Sequence, residues 1–332
     1  MTVQRTPGVP ARALVTGVTG QDGGYLAERL VREGVQVHGL VRPGCPDADG
    51  LARRLPQVHL HAADLSDEDA LRRVVAQVAP QEVYNLAGIS SVAYSWQEPV
   101  ATARLSGLAP AVLLDAALHE QDRTGEPVAF VQASSAEIFG AAEVAPQDES
   151  TPVRPLSPYG AAKAYAHHMV QVYRSRGLHA TSCILFNHES PRRPPTFVTR
   201  KITQAAVRIA REGGTVELGN LEARRDWGWA PDYVDAMVRA ARHATAEDFV
   251  VATGTTHAVA DFVALAFRHA GIEDWRAHVR VDEALRRPAE AREQVGDAGK
   301  ARRLLGWAPT VTFEEMVARM VQHDRDDVRG DR

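Results

Sequence analysis

Along the first half of the chain, short apolar β-branched runs alternate with segments whose apolar residues recur at helical spacing. "RALVTG" reads as a strand, and "GGYLAERLVREG" as a helix with Leu26, Leu30 and Val31 on one face and Gly34 as its stop. "VQVHGLV" and "VHLHAADL" are the second and third strands, and "DEDALRRVVAQVAP" is a helix opened by acids and closed by Pro80. "EVYNLAG" and "PVAFVQASS" follow as strands, separated by the helical "PAVLLDAALHEQDR". "SPYGAAKAYAHHMVQVYRSRG" then predicts a helix that leads into the strand "HATSCILFNH". Strands alternating with helices predict an α/β protein with a doubly wound parallel sheet of the Rossmann type. Such sheets bind ligands at the carboxyl ends of their strands.

Beyond Asn187 the texture changes. "ESPRRPPTF" is rich in proline and arginine, and "LGNLEARRDWGWAPDYV" reads as a loop carrying two tryptophans. "EDFVVATG" looks like one more strand of the core sheet, and residues 256–323 mix short helices with loops. The expectation is a cofactor domain over 11–186 plus 232–255 and a smaller, discontinuous α/β substrate domain over 187–231 plus 256–323. Residues 1–10 and 324–332 are expected to be flexible ends.

Composition narrows the class. The 332 residues are 45% hydrophobic and 24% charged with a net charge of −4, as in soluble globular proteins. No long basic run is present, which argues against nucleic acid as a partner. No apolar run reaches the roughly 20 residues of a membrane span. Two cysteines, Cys45 and Cys183, cannot build a disulfide framework and suit reduced thiols in the cytoplasm.

"TGVTGQDG" places Gly17, Gly20 and Gly23 directly after the first strand and at the head of a helix. Glycines there let the backbone approach a pyrophosphate, whose charge the helix N-terminus favours. A ribose-binding acid, expected about 20 residues further on for NAD, is missing. The chain has Arg42 there, which suits a 2′-phosphate and hence NADP, or else is a solvated loop arginine. Asp64-Leu65 ends the third strand, where Asp64 either meets an adenine edge or caps the next helix.

Tyr159 and Lys163 stand four apart after Ser157-Pro158, so both project from one face of a helix. A phenol of pKa about 10 is a poor base until a nearby positive charge lowers it. Ser135 can share the proton of a substrate hydroxyl. Glu137 has no task in a simple alcohol oxidation. Once a sugar C4 hydroxyl is a ketone, however, the C5 proton is acidic, and a carboxylate can remove it and assist loss of the C6 hydroxyl. His167 and His168 point about 100° apart on a helix and read as structural rather than metal-binding. Trp227 and Trp229 read as packing groups.

These segments resemble the GDP-mannose 4,6-dehydratases of the extended short-chain dehydrogenase/reductase superfamily. The likeness is carried by "TGVTGQDGGYLAE", "PQEVYNLAG", "SPYGAAK", "ILFNHESPRR", "FVTRKIT", "LGNLEARRDWGWAPDYV" and "RPAE". It implies conversion of GDP-D-mannose to GDP-4-dehydro-6-deoxy-D-mannose with NADP reduced and reoxidised in each turnover. It also implies catalytic roles for Ser135, Glu137, Tyr159 and Lys163. Thr19, Gln21, Asp22, Leu86 and Ala87 would join the glycines, Arg42, Asp64 and Leu65 around the cofactor. Ser90, Asn187, Arg192, Val198, Lys201, Leu218, Gly219, Arg225, Arg287 and Glu290 would hold the nucleotide-sugar. A homodimer is expected, or a homotetramer. Ile89 stands where the family usually has a glutamine. The alternatives are an epimerase, a reductase or a dehydratase acting on another nucleotide-sugar, or a catalytically silent NADP-binding protein.

Overall fold

The computed structural model describes residues 12–285 and 288–330. The chain begins with β1 (Arg12–Thr16), α1 (Gln21–Arg32), β2 (Gln36–Val41), α2 (Ala48–Arg54), β3 (His59–Ala62), α3 (Glu68–Val78) and β4 (Glu82–Asn85). Next come α4 (Val92–Gln97), α5 (Pro99–Ala103), a π-helical turn (Arg104–Leu108), α6 (Ala109–Thr124), β5 (Ala129–Ser135), α7 (Pro158–Ser175) and β6 (His179–Leu185). The second half holds β7 (Asn187–Glu189), α8 (Val198–Glu212), β8 (Val216–Leu218), β9 (Arg224–Trp229), α9 (Ala230–Ala241) and β10 (Asp248–Val251). It ends with β11 (Thr256–Ala258), α10 (Val259–Ala270), β12 (Val279–Val281), β13 (Glu293–Gln294), α11 (Gly299–Leu305) and α12 (Phe313–Gly330).

Among the described residues, seven strands form one parallel sheet in the order β10-β6-β5-β4-β1-β2-β3. The strand order reverses between β1 and β4, which opens the crevice where such sheets bind ligands. Alternate residues of β1, β4 and β5 feed two cores. Val15, Val131 and Val250 pack with Leu26 of α1 and Met237 of α9. Leu14, Val83 and Phe130 pack on the other face with Leu71 of α3, Leu114 of α6 and Val170 of α7. A third core joins α8, α10 and α12 around Trp227, Phe262 and Met316. The long apolar stretch Pro99–Thr124 has the length and composition to cross a bilayer, yet more than half of its most apolar part is buried inside the protein.

Three expectations are corrected. The tryptophan-bearing segment is a strand, β9, which pairs with β7, β11 and β13. Residues 256–323 hold longer regular helices than the short ones expected. Helix α12 runs on to Gly330, and beyond residue 323 its Asp324 is buried against Arg200, so this stretch is helix rather than a loose end. Its apolar positions were too few for the periodicity to register.

At the sheet edge, His38 on β2 and His59 and His61 on β3 share one face. His38 Nδ1 lies 2.9 Å from His61 Nε2, and the His38 and His59 rings stack at 5.0 Å. Burial first, then His61, His59 and Arg12, bring His38 down from 6.5 to about 4. The folded state therefore binds fewer protons here than the unfolded chain, so stability is full above pH 6.5 and falls as the pH drops towards 4. His38→Leu should flatten this loss, read as melting temperature against pH. An unchanged acid slope would exclude the cluster as its source.

Candidate active site

The carboxyl ends of β1, β4 and β5 define the site. After β1, the turn closes with Gly20 N–H donating to Gly17 O at 3.0 Å, and α1 starts at once. A Cβ on Gly23 would lie 2.2 Å from the Gly17 carbonyl, so the helix can approach the turn only without a side chain there. Thr19 is half-buried with Oγ1 3.8 Å from Cys45 Sγ, in the loop that follows β2. Gln21 and Asp22 face β7. Gln21 donates to His188 O at 3.1 Å and accepts from Ser190 Oγ at 2.8 Å. Asp22 Oδ2 lies 2.9 Å from His188 Nε2, while His188 Nδ1 lies 2.7 Å from Phe186 O. Both ring nitrogens thus meet acceptors alone, and the ring must carry two protons. Burial pulls His188 down, but the Asp22 carboxylate outweighs it and the pKa is raised. Burial pushes Asp22 up, and His188 in turn holds its pKa below the ordinary value.

Arg42 is exposed at the end of β2, and its charge reaches Asp64. Asp64 does not cap α3. It accepts from Ser66 N and Oγ at 2.8 and 2.6 Å, and Asp67 is the cap, accepting from Ala70 N. Leu65 and Leu86 are half-buried against the two sheet cores. Leu86 and Ala87 donate their N–H groups to Thr16 Oγ1. Ser90 is exposed just beyond.

The reactive groups come from β5 and α7. Ser135 ends β5 and accepts the Glu137 N–H at 3.2 Å, opening a single 3₁₀ turn that holds Glu137 half-buried at the mouth. Ser157 caps α7, and Pro158 occupies its first turn. A Cβ on Gly160 would lie 2.6 Å from the Glu137 carbonyl, so a glycine beside Tyr159 lets the helix close on that turn. Tyr159 is buried, and burial pushes its pKa to about 12, with the Ser135 hydroxyl opposing and the Glu137 charge adding. Burial brings Lys163 down to about 8, opposed by Asp22. Its Nζ donates to Ala133 O at 2.8 Å and lies 5.8 Å from the Tyr159 ring centre.

The remaining expected residues are spread over β7 to β13. Asn187 is half-buried at the head of β7. Arg225, nearly buried, donates to Glu290 Oε1 at 2.8 Å and to Ala291 O at 3.0 Å, and Asn220 holds the other Glu290 oxygen. Lys201 reaches Glu217 O, Val198 is exposed at the start of α8, and Gly219 is half-buried. Leu218 turns its side chain into the third core and leaves only its backbone for a ligand. Arg192 pairs with Glu28 at 2.6 Å and stacks on Tyr25. Its neighbour Arg193 is the arginine whose charge reaches Tyr159 and Asp22. Arg287 lies outside the described residues. His188 and Arg193 were missed in the sequence, although "NHESPRR" had been singled out. His167 is buried on Ser182 Oγ at 2.9 Å and His168 is exposed, so the pair diverges. Trp227 is buried among Phe262 and Phe313. A hollow of about 520 Å³ lined by Arg72, Asp115, His119 and Arg176 lies where α7 ends, away from this constellation.

A dinucleotide cradle joined to a Ser-Tyr-Lys set defines a nicotinamide-dependent enzyme of the short-chain dehydrogenase type. The chain matches the family described as GDP-mannose 4,6 dehydratase over residues 14–320, and it belongs to that family. It is 43% identical over 326 residues to GDP-mannose 4,6 dehydratase 1 of Arabidopsis thaliana, covering 94% of this chain and 89% of the relative. It is 42% identical over 346 residues to the Homo sapiens GDP-mannose 4,6 dehydratase, covering 96% and 92%. Among solved structures it resembles the UDP-glucose 4-epimerase of Thermotoga maritima, with TM-score 0.85, 26% identity and coverage of 96% and 99%. A Thermus thermophilus UDP-glucose 4-epimerase in complex with NAD aligns at TM-score 0.80 and 27% identity, covering 95% and 99%.

Gly23→Ala tests the cradle. Overpacking of this kind costs about 1–3 kcal/mol, so dinucleotide affinity should fall about tenfold or more in a fluorescence titration. Unchanged affinity would mean that the turn does not hold the pyrophosphate.

Proposed function

We infer that the protein dehydrates GDP-D-mannose to GDP-4-dehydro-6-deoxy-D-mannose and water, and that the observation carrying this is Glu137 beside Ser135, Tyr159 and Lys163. The cradle closed by Gly23, the N-terminus of α1 and the buried Lys163 fit a nicotinamide dinucleotide. When bound, that group accepts the hydride from C4 and returns it to C6.

Tyr159 takes the proton of the C4 hydroxyl, helped by the Ser135 hydroxyl, while Lys163 steadies the phenolate. Glu137 then removes the acidified C5 proton and delivers a proton to the C6 oxygen. The C6–O bond breaks, a C5–C6 double bond forms and water leaves. Tyr159 would return its proton to C5 as the hydride is returned to C6, so the sugar would end with its overall oxidation level unchanged. An epimerase or reductase has no use for Glu137 in this place, and a silent binding protein has no use for the complete set.

The finer assignments follow the same reading. Arg42, following a β2 that ends without an acid of its own, favours NADP over NAD. Residues 11–186 plus 232–255 form the cofactor half. Residues 187–231 plus 256–323 hold the nucleotide-sugar, with Arg225 and Glu290 paired at 2.8 Å among its polar groups. Exposed Trp96, Val100, Leu108, Tyr165 and Val172 lie on α4, α5, the π turn and α7, and support a homodimer. The setting is the cytoplasm.

Glu137→Gln should bind GDP-mannose and still reduce the cofactor, then stall before water loss. Removing a positioned acid–base typically costs about 10²–10⁴-fold, which a coupled assay for the dehydrated sugar would read. Dehydration at the normal rate would reduce Glu137 to a structural group. Arg42→Ala should weaken NADP far more than NAD in paired titrations, and equal losses would remove Arg42 from the 2′-phosphate.

A further inference from the structure

A buried polar row crosses the centre of the otherwise apolar sheet. Thr16 on β1, Asn85 on β4 and Gln132 on β5 stand at matching positions, so their side chains share one face. All three are at most 1% exposed. Thr16 Oγ1 accepts the Leu86 and Ala87 N–H groups at 3.1 and 3.0 Å, so its own proton must go to Asn85 Oδ1, 2.7 Å away. That fixes the Asn85 amide with its NH₂ towards Gln132 Oε1, at 2.8 Å. The Gln132 NH₂ is then turned to Ala133 O, at 3.0 Å. This carbonyl is the one that accepts the Lys163 ammonium at 2.8 Å. Each donor direction is forced by the previous link. The row therefore starts beside the phosphate turn and ends on the lysine of the reactive set.

The same face continues to Ser182 and Asp248, which meet His167, Gln171 and Arg174 along α7. Lys163 is thus the first of a stripe of polar groups through which α7 is registered on the sheet. Apolar side chains of similar size would leave the Leu86 and Ala87 N–H groups without their acceptor. A fully satisfied network instead specifies one geometry.

We propose that Gln132 is a positioning residue for the reaction, acting through the Ala133 carbonyl to hold the Lys163 ammonium in place against Tyr159. This rests on the dehydratase reading, and the test separates the two. Kinetics against pH would be compared for the wild type, Gln132→Leu and Gln132→Glu, with GDP-mannose and NADP. Misplacing a reacting group by about 1 Å can cost 10²-fold, so Gln132→Leu should lower kcat by about tenfold or more while KM changes less than about threefold. Its alkaline edge in kcat should move to lower pH, because an Ala133 carbonyl no longer anchored by Gln132 holds the buried ammonium less well. Gln132→Glu adds a carboxylate that favours the ammonium and should move the edge to higher pH. Opposite shifts support the proposal, since a purely structural residue would move both edges alike or neither. Two same-direction shifts, or a Gln132→Leu loss confined to melting temperature and KM, would overturn it. If Gln132→Leu does not fold, Thr16→Val breaks the row two strands away. A smaller kcat loss with the same downward edge shift supports the row, and an unaltered kcat profile overturns it. A wild type that forms no dehydrated sugar would instead overturn the dehydratase reading.

Discussion

Burial of one ammonium organises the site. Lys163 sits within the sheet–helix interface, where its charge is poorly solvated and a backbone carbonyl is its direct hydrogen-bond partner. Burial acts in the same way on Tyr159, favouring the neutral phenol. Burial thus favours the neutral form of both groups. Their pKa values are pushed apart, from 10.0 and 10.5 to about 12 and about 8.

The Asp22–His188 pair extends this control across the fold. It joins the first turn of α1 to β7 and so to the "NHESPRR" segment, with Tyr233 stacked on the imidazole at 4.6 Å. The charge on His188 is compensated where it is buried, and Asp22 remains ionised to act on Lys163. The turn before α1, the β7 segment and Lys163 share one electrostatic unit.

Much of this was legible in the chain. The parallel sheet was plain because each strand is a compact β-branched run followed by a helix of clear period. Ser135, Glu137, Tyr159 and Lys163 stood out through spacing and chemical type. What stayed hidden depends on partners distant in sequence. Arg192 and Arg193 are adjacent and alike, and only the contacts with Glu28 and Tyr25 tell them apart. Asp64 and Asp67 are equally good caps by composition, and the Ser66 hydroxyl decides between them. Strand β9 was read as a loop because Arg224, Arg225 and Asp226 look solvent-bound. Asp226 in fact accepts N–H groups from Thr253, Gly254 and Gly296 inside the protein. Gln132 drew no notice in the sequence, since its partner Asn85 lies on another strand.

Strand β10 closes the parallel sheet beside β6, yet it is separated from β6 in the chain by β7, α8, β8, β9 and α9. During synthesis the ribosome must therefore release some sixty residues of unrelated texture before the sheet can gain its outer strand. Until then β6, which carries the fully buried Cys183 in the finished protein, presents an open hydrogen-bonding edge. The nascent chain passes through a stage in which it is most exposed to edge-to-edge pairing with its neighbours, and the arrival of residues 248–251 ends that stage.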